Sequence, residues 1–103
     1  VNNKSYTEII FFHTDWCPHC KKAKPIWQQV KDKYNGKIFH DSVLSFKMVN
    51  GDEEESYIND FETKYKKEID GYPTILMVKN DKVLEYDGKP KYQTLSKFVE
   101  VDL

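Results

Sequence analysis

The chain has 103 residues, sixteen basic and seventeen acidic, and a formal net charge of −1 at pH 7. That length predicts one domain, 1–103, with a single modest core. The balanced charge excludes nucleic acid and anionic membrane surfaces as expected partners, and no apolar run is long enough to span a membrane.

Residues 1–6 are polar and read as a short lead-in. Residues 8–13 follow, with Ile9, Ile10, Phe11 and Phe12 at their centre. A run this short and this rich in branched and aromatic residues predicts a buried strand. The spacing then changes. Cys20, Ala23, Trp27, Val30 and Tyr34 fall on one side of a helix over residues 18–34. Pro18 suits the first helical position, where its missing N–H costs nothing, so Cys17 falls at the N-cap. Pro25 removes the bond to the Lys21 carbonyl and should bend the helix. Asn35-Gly36 ends it, and Lys21, Lys22, Lys24 and Lys31 read as its solvated face.

A second strand is expected over residues 45–49, with His40-Asp41-Ser42 as a loop before it. Asn50-Gly51-Asp52 reads as a turn and the start of a helix carrying Glu53, Glu54 and Glu55 in its first turn, where the dipole favours acids. Ile58, Phe61 and Tyr65 give that helix a face to bury, and Lys64, Lys66 and Lys67 close it. These charge runs read as helix ends rather than binding patches. Gly71-Tyr72-Pro73-Thr74 leads into a strand over 75–79, Asn80-Asp81 turns a hairpin, and 83–86 returns. Asp87-Gly88 breaks the pattern before a closing helix over 92–101, with Leu95, Phe98 and Val99 inward. The expected sheet order is 45–49 at one edge, then 9–13, 75–79 and 83–86, with the first two parallel through a right-handed crossover.

Both cysteines lie in Asp15-Trp16-Cys17-Pro18-His19-Cys20-Lys21-Lys22. A sulfur at the N-cap faces the orphan N–H groups of His19 and Cys20 and the positive end of the helix dipole. Both favour the thiolate, which is the nucleophile in disulfide exchange. His19 can add a positive charge or a hydrogen bond to the same sulfur. Cys17 would attack a substrate disulfide; Cys20, one turn inside and less exposed, would resolve the mixed disulfide.

Trp16-Cys17-Pro18-His19-Cys20-Lys21 on a strand–helix turn resembles the active site of the thioredoxin superfamily. Gly71-Tyr72-Pro73-Thr74 is similar to its cis-proline loop, Pro25 to its kinking proline, and Gly88 to its glycine before the last helix. The resemblance implies an α/β, thioredoxin-like fold: a central mixed four-stranded sheet flanked by three helices. The N-terminal strand–helix unit of that family is expected to be largely absent, because only about seven residues precede the first apolar run. The implied function is a thiol–disulfide oxidoreductase acting on protein thiols and disulfides by oxidation or isomerisation. A thioredoxin-type reductant and a non-catalytic interaction domain are the alternatives. Cys17 and Cys20, with Pro18 and His19, are the implied catalytic residues. Trp16, Tyr72 and a cis Pro73 are the implied substrate contacts. No cofactor is implied beyond the Cys17–Cys20 disulfide. A redox partner (glutathione, an oxidase or a reductase) is implied without being identified, and a monomer is expected.

Pro18-His19 between the cysteines resembles the strong thiol oxidant of the bacterial periplasm, which implies a more oxidising couple than ordinary thioredoxin. Each 1.4 kcal/mol of added dithiol stability moves such a couple by roughly 30 mV. Two positions depart from the family pattern. The buried acid six residues before the first cysteine is Phe11 here, and the lysine that often faces it is Met48. His13, on the same strand face as Phe11, is then a candidate base for the Cys20 proton, or else a stacking residue at the strand end. A zinc site of His13, Cys17, His19 and Cys20 is set aside, because His19 lies between the cysteines and no second C-x-x-C pair exists. A cysteine pair of this kind works in oxidising and reducing compartments alike. An oxidising one such as the secretory lumen is expected, with the cytoplasm as the alternative. No signal peptide is recognisable, and the start at Val1 raises the expectation of a removed signal or longer N-terminus.

Overall fold

Ile9, Ile10, Phe11 and Phe12 are all fully buried. Successive side chains of a strand point to opposite faces, so this strand must be covered on both sides. The structure, a computed structural model that describes residues 5–101, supplies both covers. Its elements are β1 (Ser5–His13), α1 (Pro18–Tyr34), β2 (Ile38–Phe39), β3 (Ser42–Asn50), α2 (Glu55–Tyr65), β4 (Thr74–Lys79), β5 (Lys82–Glu85) and α3 (Tyr92–Val101). Ile9 and Phe11 join one core with Trp27 and Val30 of α1 and Leu95 and Val99 of α3. Ile10 and Phe12 join a second core with Ile58 and Phe61 of α2. No helix among the described residues is long and apolar enough to cross a membrane.

The sheet is mixed, in the order β2-β3-β1-β4-β5. β1 runs parallel to β3 and antiparallel to β4, with Phe11 opposite Met48 on one side and Ile75 on the other. The four expected strands lie in the expected order. The sheet has a fifth, because β2 takes the edge assigned to 45–49. The segment read as a loop at His40-Asp41-Ser42 is a tight hairpin. His40 and Asp41 have φ of 50 and 62, the pair of positive angles that a type I′ turn needs. Ser42 is buried inside β3. Asn80 and Asp81, with φ of 51 and 64, make a second such turn where one was expected.

β1 begins at Ser5, inside the segment read as a lead-in, whose residues 1–4 lie outside the described part. The reason is a polar pair that hydropathy does not register. The Thr7 and Ser42 hydroxyls are 2.6 Å apart and both residues are fully buried. Two hydroxyls that satisfy each other allow polar residues in a strand interior. α2 starts at Glu55, later than the acid run implied. The Glu54 carboxylate accepts from the Asn50 N–H at 2.9 Å, and the Asn50 side-chain oxygen accepts from the Asp52 N–H at 2.9 Å. Residues 50–54 therefore form a braced turn, and only Glu55 lies in the first helical turn. α2 ends on Lys66 in the left-handed conformation, φ 53, and Lys67 pairs with Glu85 at 2.6 Å.

Thr7→Val keeps the shape of the side chain but strands the buried Ser42 hydroxyl. It should cost about 1–3 kcal/mol of unfolding free energy in urea. Thr7→Val with Ser42→Ala should recover part of that loss; a double variant at the sum of both single losses would show that the hydroxyls do not interact.

Candidate active site

β1 delivers the chain at His13 to the mouth of the sheet, and α1 leaves from there. Cys17 sits between them with extended backbone, φ −87 and ψ 112, and is the N-cap of α1. Pro18 is the first residue of α1, and of the free amides of the first turn it is that of Cys20 that turns back on the cap. Its N–H donates to Cys17 Sγ at 3.1 Å. From the other side the Cys17 thiol donates to the Tyr72 carbonyl at 3.5 Å. The Tyr72–Pro73 peptide bond is cis, as expected of this loop. One sulfur thus meets an amide of its own helix and the carbonyl of a loop fifty-five positions away.

Both cysteines are free, and each is only 3% exposed. Cys20 is therefore not the less exposed of the two, as its place one turn inside had suggested. Burial pushes the Cys20 thiol up to about 11, its hydrogen bond with Cys17 adds to this, and backbone contacts with Thr14 and its own amide pull weakly the other way. The surroundings explain why. Phe11 is fully buried, and Met48 beside it packs on the same core. Where the family pattern would place an acid and a lysine, this chain has an apolar floor.

His13 lies flat on Phe11, with ring centroids 5.4 Å apart and planes at 20°. Phe11 in turn stacks on Trp27 at 5.6 Å and 25°. Burial holds the imidazole below its usual value and Lys24 adds to that, against opposing Asp15, Glu54 and Glu53. His13 is thus a stacked ring whose burial favours the neutral imidazole. The His19 ring is exposed on α1, and among the described residues it makes no hydrogen bond to Cys17. Trp16 is 66% exposed and meets the Tyr72 ring edge-on, with centroids at 6.3 Å. No three His, Cys, Asp or Glu side chains among the described residues are grouped as metal ligands.

Two features of the site were not read from the sequence. Gly51 lies so close to Tyr72 that an added Cβ would overlap the phenol ring and hydroxyl. A groove of about 440 Å³ also opens beside the cysteines, between His19, Ala23 and Ile26 of α1, Pro73, and residues 88–90. Gly88, with φ +95, turns the chain along its far wall. The sequence marks Asp87-Gly88 as a strand end and Gly88 as the glycine before the last helix, but nothing local ties Lys89 and Pro90 to residues so distant in the chain.

The Thioredoxin family model matches residues 1–101. Protein disulfide-isomerase A4 of Bos taurus is 30% identical over 96 residues, covering 89% of this chain and 13% of that protein. Protein disulfide-isomerase of Arthroderma benhamiae is 31% identical over 103 residues, covering 96% of this chain and 18% of that protein. The chain thus spans less than a fifth of either relative. Among solved structures, the first thioredoxin domain of mouse Protein disulfide-isomerase A4 superposes with a TM-score of 0.67 at 22% identity, over 90% of this chain and 60% of that one. Sheet, cysteine turn, cis-proline loop and sequence all agree: the chain belongs to the thioredoxin family.

Proposed function

We propose that this domain exchanges thiols and disulfides with protein substrates through Cys17 and Cys20, in the direction of disulfide formation and isomerisation. The observation that carries the reading is the Cys17 sulfur held between the Cys20 N–H at 3.1 Å and the Tyr72 carbonyl at 3.5 Å. A thiolate there keeps its amide donor, and the helix dipole adds to it. Cys17 attacks one sulfur of a substrate disulfide; that S–S bond breaks, a mixed disulfide forms, and the other substrate sulfur leaves as a thiolate. Cys20 then loses its proton and attacks Cys17 Sγ, releasing the second substrate thiol. The domain ends as a disulfide and the substrate is reduced by two electrons; run in reverse, the same steps oxidise a substrate dithiol. Isomerisation stops at the mixed disulfide and lets a second substrate thiol displace Cys17.

Trp16 and Tyr72 wall the approach to Cys17, and the cis Pro73 loop faces the groove. Pro18 contributes as the first residue of α1, where its missing N–H costs nothing and its fixed φ starts the helix at the Cys17 cap. His19 acts through its exposed ring at the groove rather than by a direct bond to the sulfur.

Equilibration with glutathione tests the direction. The Cys17–Cys20 couple should lie above thioredoxin's value of about −270 mV. A potential at or below it removes the oxidising direction, and failure to exchange at all removes the function. Cys20→Ser should still attack but accumulate the mixed disulfide, seen by mass spectrometry, whereas Cys17→Ser should form none.

The resolving step should depend steeply on pH. In the mixed disulfide Cys17 no longer acts on Cys20, but burial, the leading cause of the raised value, remains. The Cys20 thiol is therefore protonated at pH 7, and resolution should quicken by about tenfold per pH unit between 7 and 9. His13→Phe should leave that slope unchanged, because the imidazole is engaged in stacking. A wild-type profile already level above pH 7, made steep by His13→Phe, would instead identify His13 as the base.

A further inference from the structure

The groove beside Cys17 has a charge pattern that thiol exchange does not require. We propose that it selects substrate segments with acidic residues next to the reacting cysteine, and that Lys22 and Lys89 make the selection. The proposal rests on the exchange reading above and adds to it the class of substrate.

The floor of the groove is apolar, formed by Ala23 and Ile26 of α1 with Pro73 and Pro90. Its charged rim comes from two walls. Lys22 stands on α1, and Lys89 stands on the segment that enters α3. Among the described residues no acidic side chain lines it. Asp87 adjoins Gly88 in sequence but is not part of the lining. Asp15, the acid just before the cysteines, accepts from the Asn50 side chain at 3.3 Å. α1 itself carries Lys21, Lys22 and Lys24 and no acid before Asp32.

The two rim lysines are also free to act. Among the described residues Lys67 pairs with Glu85, and Lys31, Lys33, Lys47 and Lys64 lie over aromatic rings. Lys22 and Lys89 are exposed and engaged in neither way. The chain as a whole carries a net charge of −1, so it has no general attraction for acidic peptides. Any preference must come from where these two charges stand. A segment with an apolar side chain for the floor and carboxylates at the rim matches both features of the groove.

The test uses symmetrical disulfides of short synthetic peptides, identical except for Glu, Gln or Lys on both sides of the cysteine. Each is reacted with the reduced protein and followed by mass spectrometry. Second-order rate constants should fall in the order Glu, Gln, Lys, with about tenfold between the extremes at low salt. The spread should shrink at about 0.5 M salt, where screening acts within a few ångströms. Lys22→Gln with Lys89→Gln should narrow it, and Lys22→Glu with Lys89→Glu should reverse the order, which a merely structural role would not do. Rates indifferent to flanking charge, or an order that survives charge reversal, overturn the proposal and leave the exchange reading standing. Failure of every peptide to react overturns both.

Discussion

The mouth of this sheet depends on one hydrogen bond, from the Cys20 amide to Cys17 Sγ at 3.1 Å. Its existence explains the spacing of the two cysteines. An N-cap side chain reaches the amide two or three residues into the helix. With Cys17 as the cap, the third residue in is Cys20, and its amide makes the bond. Two residues between the cysteines therefore place the second one where its own amide supports the first sulfur. The same spacing puts the Cys20 side chain on the buried stripe of α1 with Ala23 and Trp27. One short motif fixes a charge-supporting contact and a core anchor together.

The two sulfurs are equally buried but differently bonded: Cys17 Sγ accepts from the Cys20 amide, and its thiol donates to the Tyr72 carbonyl. For Cys20, burial dominates and favours the neutral thiol. The apolar pair Phe11 and Met48 deepens that difference. A carboxylate under the cysteines would take up the resolving proton, but it would need a partner of its own to be tolerated there. Here the same volume is filled by a stack of His13, Phe11 and Trp27, which strengthens the core. In the proposed exchange, a Cys20 thiol kept neutral would slow resolution and prolong the mixed disulfide, the species from which isomerisation proceeds.

Most of the fold was legible because burial follows period. The stripe of α1 was readable at helical spacing, and α3 was bounded correctly from Leu95, Phe98 and Val99. The cysteine turn and the cis Pro73 loop were legible because each packs its chemistry into four residues. What escaped was stabilised by means other than hydrophobic pattern. β2 depends on a two-residue turn at His40-Asp41, in which neither residue is glycine. The first half of β1 depends on a hydroxyl pair thirty-five positions apart. The start of α2 is delayed by side-chain bonds of Asn50 and Glu54. The groove escaped for a further reason: its two walls come from α1 and from residues 88–90, and no local signal joins them.

The site also depends on the face of the sheet turned away from α1. Tyr72 packs against both cores, the one under the cysteines and the one under α2. Its ring lies over Gly51, where a side chain would collide with it. Gly51 is held in place by its own N–H, which donates to the His13 carbonyl at 2.7 Å. The end of β1, the turn into α2 and the cis-proline loop are thus locked at one point. The carbonyl that meets Cys17 belongs to the residue so locked. Displacing Tyr72 from Gly51 would move that carbonyl without touching either cysteine. The turn into α2 therefore helps to hold the carbonyl that meets the Cys17 sulfur.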